Sequence, residues 1–195
     1  MTNPNPRATH ELLLRQLALY LREAEEILAA WDAYSDEHTG PDGWPHDEQT
    51  YGLRQSQRDG DTWRSFNRIR TGAKALVATA EVHLQALPKR SIHPHWAWQI
   101  SCLNTALGRI SALQSEWLDR RSTAPASARP GTGEYDGPLA ERNAEAWHHL
   151  NEWALHGQAV LDIHTAVQHH RPGLTSIAPA PALPGPAAPP SPARR

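Results

Sequence analysis

The amino-acid sequence predicts an all-α protein: an up-down four-helix bundle with long loops at one end, followed by a disordered C-terminal tail. Apolar residues recur at helical spacing in four long segments, and no segment alternates like a strand. Segments rich in Pro and Gly separate the four stretches, as expected between helices. The 195 residues therefore divide into a predicted helical bundle domain, 1–171, and a predicted tail, 172–195.

The first predicted helix runs from Pro6 to His38. Asn5 is a suitable N-cap, and proline fits the first helical position because that position needs no N–H donor. The helix should end before Pro41, since proline interrupts the hydrogen-bond ladder. One face carries an apolar stripe at spacings of three and four: Leu14, Leu17, Leu21, Ala24, Leu28 and Trp31.

Residues 39–61 are predicted to form a long connection with a short helix between Pro45 and Arg58. The second long helix covers residues 62–87 and is stopped by Pro88. The first helix carries an excess of acidic side chains and residues 62–90 an excess of basic ones. Sequential helices usually pack together, so this charge pattern predicts that the first two helices are neighbours.

The third predicted helix begins near Pro94 and extends to about residue 121. Residues 122–137 form a loop, and Pro138 opens a fourth helix that reaches about His170. The chain from residue 172 onward is dominated by Pro and Ala. Such a segment cannot bury enough apolar surface to offset its ordering entropy, which is why a disordered tail is predicted.

Composition argues against several functional classes. The net charge of −2 gives no general attraction to nucleic acid, and the basic face of Arg64, Arg68, Arg70 and Lys74 is expected to be neutralised by the acidic first helix. No apolar run approaches the roughly 18 residues of a membrane span. No glycine-rich phosphate loop or nucleophile motif is present. Nucleic acid and membrane are thus disfavoured as partners.

The first functional hypothesis is a non-enzymatic interaction or scaffold protein that binds a protein partner or a second copy of itself. It rests on the lack of a reaction motif. Cys102 is the sole cysteine, so no intrachain disulfide can form, and the N-terminus lacks an apolar segment. These two features predict a cytoplasmic protein.

Tryptophan is unusually frequent, with eight residues in the chain. In an up-down bundle, several of them fall at the end where the first helix finishes. They either close that end of the bundle or form a patch for a partner or ligand, since aromatic residues are common in both kinds of binding surface. The predicted patch comprises five residues: Trp31, Trp44, Trp63, Trp117 and Trp147.

Histidine is also unusually frequent, with twelve residues, and seven of them fall at the opposite end of the predicted bundle. His83 and His164 occupy core positions at the same predicted level, and His93, His95 and His10 fall nearby. Imidazole is a good ligand for divalent transition metals. The alternative function is therefore a metal-binding four-helix bundle that uses these histidines, with an enzymatic role open. The alternative to metal binding is that His83 and His164 are partly buried, hydrogen-bonded side chains with a structural role only.

A second polar group lies on the fourth predicted helix. His148, Glu152 and His156 are spaced four apart, which places them on one face. A solvated helix face is the favoured interpretation, and metal binding is the alternative. Cys102 lies in the third helix without an evident activating partner and is predicted to be a packed thiol.

Overall fold

The computed structural model describes residues 5–170, which are helical apart from short connections. The predicted all-α class is confirmed for this part of the chain. The predicted tail, 172–195, lies outside the described residues. The elements in chain order are α1 (Pro6–His38), α2 (Glu48–Arg70), α3 (Ala73–Ala86), a 3-10 turn (Lys89–Ser91), α4 (Trp96–Thr123), α5 (Gly133–His156) and α6 (Gln158–His170).

Helix α1 has the bounds that the sequence predicts. The Asn5 side chain accepts a hydrogen bond from the Arg7 N–H at 3.1 Å, which satisfies one of the free donors of the first turn. After the helix, a short bridge between Thr39 and Pro45 closes a tight loop. Gly43 sits in this loop at a φ of 80°, a conformation that favours glycine.

Helix α2 begins at Glu48, inside the predicted connection 39–61: the short helix predicted between Pro45 and Arg58 is helical, but it continues without a break into the second long helix. Asp47 starts the helix: its carboxylate accepts from the Gln49 N–H at 3.0 Å. The helix then continues through Gly52 and Gly60, two residues of low helix propensity. Burial of Trp63, Phe66 and Ile69 further along the same helix outweighs that local preference.

Two of the predicted long helices are each broken in two, at Gly72 and at Gly157. A Cβ atom at Gly72 would meet both methyl carbons of Leu13, one of them at 2.8 Å. A Cβ atom at Gly157 would lie 2.9 Å from Leu21 Cδ2 and 2.6 Å from the Trp153 carbonyl oxygen. A Cβ atom at Gly72 would therefore force the Leu13 side chain of α1 to move, and one at Gly157 would meet both α1 and the preceding turn of α5.

The core lies where these helices meet. Helix α1 packs along α2, α4 along α5, and α2 against α5, whereas α3 packs against α4 and α6. Tyr20, Phe66 and Trp153 fill the centre with edge-to-face ring contacts at 5.4 Å. The Tyr20 hydroxyl donates to the Leu150 carbonyl at 2.7 Å, and burial raises the pKa of this phenol.

Candidate functional site

Three histidines from three helices meet at one end of the molecule. His10 belongs to α1, His83 to α3 and His164 to α6. Their ring centroids are 5.4 Å apart for His10 and His164, 5.8 Å for His83 and His164, and 6.2 Å for His10 and His83. These three residues are called the histidine end below. The two histidines that the sequence placed at one level are therefore in ring contact, and His10 joins them.

The helical repeat explains this meeting. Each histidine lies within one turn of buried apolar residues: His10 precedes Leu14, His83 follows Ala80, and His164 follows Ile163. All three rings are half-buried.

Burial has a direct effect on His10. It lowers the pKa of His10 below its ordinary value, the neighbouring His164 lowers that pKa further, and Glu11 opposes both. The Nε2 atom of His10 is buried and makes no hydrogen bond within the described residues. The ring is therefore held in the neutral form that binds metals.

His93 and His95 lie in the connection between the 3-10 turn and α4. Their rings are 5.5 Å apart, and the His95 N–H donates to His93 Nδ1 at 3.4 Å. His93 also contacts Trp96 at 6.0 Å. Both histidines are exposed, and among residues 5–170 their ring contacts are with each other and with Trp96.

The opposite end of the molecule carries tryptophans and arginines. Arg58 lies between two rings: its guanidinium carbon is 4.4 Å from the centroid of Trp31 and 4.0 Å from that of Trp147. The same guanidinium donates to the Asp59 carboxylate at 2.7 Å. Asp59 is only 2% exposed, and burial raises its pKa even though Arg58 opposes this.

Arg142 lies between two other tryptophan rings in a similar way. Its guanidinium carbon is 3.9 Å from the centroid of Trp63 and 4.9 Å from that of Trp117. It donates to the side-chain oxygens of Asn143 at 2.6 Å and Gln114 at 3.0 Å. Burial, aided by the charge of Arg70, lowers the pKa of Arg142 to about 10. The aromatic end comprises Trp31, Trp63, Trp117, Trp147, Arg58 and Arg142.

Four of the five tryptophans of the predicted patch thus have a ring face covered by an arginine of the same chain. Trp44 differs, because it lies in the loop after α1 and is 69% exposed. The neighbouring basic face is partly neutralised: Arg68 forms an ion pair with Glu23 of α1 at 2.9 Å, and Arg64 pairs with Asp61. This pairing follows the charge pattern that predicted the contact of α1 with α2.

A third cluster joins Cys102 of α4 to Glu152 and His156 of α5. One potential ligand atom from each residue lies within 4.8 Å of the others, and among residues 5–170 this is the one such group of histidine, cysteine and carboxylate side chains. Glu152 and His156 are partly buried rather than fully solvated, whereas His148 is exposed. Burial raises the pKa of the Cys102 thiol, and the Glu152 carboxylate raises it further.

Sequence reasoning placed Glu152 and His156 on one face but left Cys102 apart from them. The missing link is the pairing of α4 with α5, which run antiparallel, so that residues near the start of α4 meet residues near the end of α5. A contact between Trp98 and His156, with ring centroids 4.8 Å apart, marks the same level.

No protein-family model matches this chain, and no curated protein or solved structure matches it either. Among residues 5–170, no helix combines the length and apolar character that crossing a membrane requires. The chemistry of the side chains is therefore the basis for a function.

Proposed function

We propose that this protein binds a divalent transition-metal ion between His10, His83 and His164. The observation that carries the proposal is the approach of three imidazole rings, from helices far apart in sequence, to centroid distances of 5.4–6.2 Å. Three imidazoles bound to one tetrahedral zinc ion, with Zn–N bonds of about 2 Å, have centroids roughly 5 Å apart. The ligand nitrogens of the three rings do not all lie within 4.8 Å of one another, so the proposed site requires the rings to rotate about χ2 when the ion binds.

The ligand set indicates which ions suit the site. Imidazole nitrogen binds zinc, copper and nickel well, and three protein ligands leave a fourth coordination position for water or a small ligand. The lowered pKa of His10 helps, because protons compete less with the metal at neutral pH. Acidification should release the ion as the three rings become protonated.

The proposal includes an arrangement for the whole helical domain. We infer that α2 with α3, and α5 with α6, act as two bent rods, since a gap of only one or two residues separates the members of each pair. With α1 and α4 they make an up-down bundle of four rods. This topology brings the start of α1 and the ends of α3 and α6 to one end.

The test is a metal titration of untagged protein from which metal has been removed by a chelator. Zinc binding is measured by calorimetry and metal content by mass spectrometry. The test variant is His10→Ala/His83→Ala/His164→Ala. The matched control removes three exposed histidines instead, as His46→Ala/His148→Ala/His169→Ala.

We expect the test variant to bind one ion fewer than the wild type and the control variant to bind as many as the wild type. Circular dichroism verifies that both variants remain helical. Equal zinc stoichiometry and affinity in wild type and test variant would contradict the proposal, and so would an equal loss of binding in the control variant.

A second candidate function is protein interaction through Trp44. The observation that favours it is the 69% exposure of this indole in a loop beside the aromatic end. Tryptophan is among the residues that contribute most to binding at interfaces. Sedimentation velocity over a range of concentrations tests self-association: a dimer that is lost in Trp44→Ala supports the candidate, and a monomer in both proteins argues against a second copy as the partner.

A further inference from the structure

We propose that Cys102, Glu152 and His156 form a second metal site, which takes one zinc ion and leaves one coordination position open to solvent. The site belongs to α4 and α5, whereas the histidine end belongs to α1, α3 and α6. The two sites share no residue, so this inference does not depend on the proposed function.

The geometry of the three side chains is close to that of a bound set. Their potential ligand atoms lie within 4.8 Å of one another, and His156 Nε2 is 3.4 Å from a Glu152 carboxylate oxygen. Ligand atoms around a tetrahedral zinc ion, with bonds of about 2.0–2.3 Å, are roughly 3.3–3.6 Å apart. A side-chain movement on the order of 1 Å therefore converts the observed cluster into a coordinated one.

The donor set favours zinc over harder cations. Thiolate sulfur and imidazole nitrogen are ligands that zinc binds readily, whereas magnesium and calcium prefer oxygen ligands. A thiolate and a carboxylate together carry two negative charges, which a divalent ion neutralises in this partly buried place. The ion binds as the Cys102 thiol loses its proton to the solvent and the sulfur forms the bond to the metal.

The surroundings fit a site with restricted access. The His156 side chain is 15% exposed and that of Glu152 is 27% exposed, so solvent reaches both side chains only in part. The His156 Nδ1 atom is buried and has no hydrogen-bond partner within residues 5–170. Trp98 contacts the His156 ring in a T-shaped arrangement and is itself 57% exposed.

A cobalt titration tests this site, because cobalt(II) takes the place of zinc and reports sulfur coordination as a charge-transfer absorption in the near ultraviolet. The untagged full chain is titrated in the presence of a reductant that contains no thiol. In the variant His10→Ala/His83→Ala/His164→Ala, which lacks the other proposed site, we expect a band that saturates at one equivalent and disappears when zinc is added. Cys102→Ser should abolish the band.

Loss of either remaining ligand should weaken cobalt binding by at least the roughly 10- to 100-fold that removal of an outer-shell partner costs. Glu152→Gln and His156→Ala are the variants. His148→Ala, which alters an exposed histidine one turn before Glu152, is the matched control and should leave the band unchanged. The variant His10→Ala/His83→Ala/His164→Ala should also retain the band, which separates this site from the proposed function.

A second measurement needs no variant. The rate at which iodoacetamide alkylates Cys102 is followed by mass spectrometry with and without zinc in excess over both proposed sites, and zinc should slow the reaction. Absence of the cobalt band in the wild type would overturn the proposal. A band of equal affinity in Glu152→Gln and His156→Ala, or an alkylation rate that zinc leaves unchanged, would also overturn it.

Discussion

At the aromatic end, two arginines are enclosed by tryptophan faces and by polar partners from the same chain. At the histidine end, three imidazoles contact one another across three helices. An arginine keeps its charge at all ordinary pH values, so its burial requires permanent partners. An imidazole is neutral or charged depending on pH and on bound metal. From this comparison we expect changes at the aromatic end to affect stability most, and changes of pH or metal to act at the histidine end.

Acid should affect the two ends in opposite directions. Burial lowers the pKa of His10, so the unfolded chain binds that proton more readily and acid favours unfolding. Burial raises the pKa of Asp59, so the folded chain takes up that proton first as the pH falls, which opposes unfolding. The pH dependence of stability thus distinguishes the two ends.

The largest effect is expected from Arg58→Met at the aromatic end. The substitution leaves the Asp59 carboxylate buried without its partner, and breaking a buried ion pair typically costs about 3–5 kcal/mol. Urea denaturation measures the fall in the free energy of unfolding. Arg64→Met is the matched control, because that side chain is 78% exposed, and it should change stability by less than about 1 kcal/mol. Equal effects would show that the aromatic end has no special share in stability.

A smaller effect is expected at the break that separates the two ends. Gly72→Ala forces a methyl group against Leu13 and should lower the free energy of unfolding by about 1–3 kcal/mol. Gly108→Ala, inside α4, is the control because a Cβ atom there would meet no atom within 4 Å. This substitution should stabilise the helix by roughly 0.5–1 kcal/mol. Thermal denaturation of both variants measures the difference, and effects of the same sign would argue against a close approach of α1.

The smallest effect concerns the pH dependence contributed by His10, which faces His83, His164 and Glu11. Its folded pKa lies below the ordinary value of 6.5, so the free energy of unfolding should fall as the pH drops below about 6.5. His10→Gln should flatten this part of the curve. Above about pH 7.5 the ring is neutral in both states, so the slopes of the two proteins should agree there. Denaturation curves measured from below pH 6.5 to above pH 7.5 provide the slopes, and identical slopes below pH 6.5 would contradict the assignment.

Local signals in the sequence were sufficient for α1 and for the helical class. Asn5, Pro6 and a long apolar stripe define α1 without help from the rest of the chain. The same reasoning failed to join the short helix predicted between Pro45 and Arg58 to the helix that follows it, because Gly60 lies between them. This continuous helix is stabilised by packing against distant segments, which local propensity does not report.

The candidate sites divide in the same way. Helical periodicity alone predicted that His83 and His164 occupy core-facing positions. The further prediction that they lie at one level depended on the predicted up-down topology. Helical periodicity does not predict that Cys102 and His156 meet, because they belong to different helices. Their contact depends on how α4 is aligned along α5. The alignment of two packed helices depends on how their side chains interlock, and it cannot be predicted from the periodicity of a single sequence.

The sequence by itself determined that this chain is helical, where α1 begins and ends, and which faces are apolar. Only the tertiary structure decided the breaks at Gly72 and Gly157, the enclosure of Arg58 and Arg142 by tryptophans, and the meeting of Cys102 with Glu152 and His156. The physical reason is the separation along the chain over which each kind of interaction acts. Capping and amphipathic spacing act within a few turns of one helix, whereas close approach and side-chain clustering depend on helices that are distant in the chain.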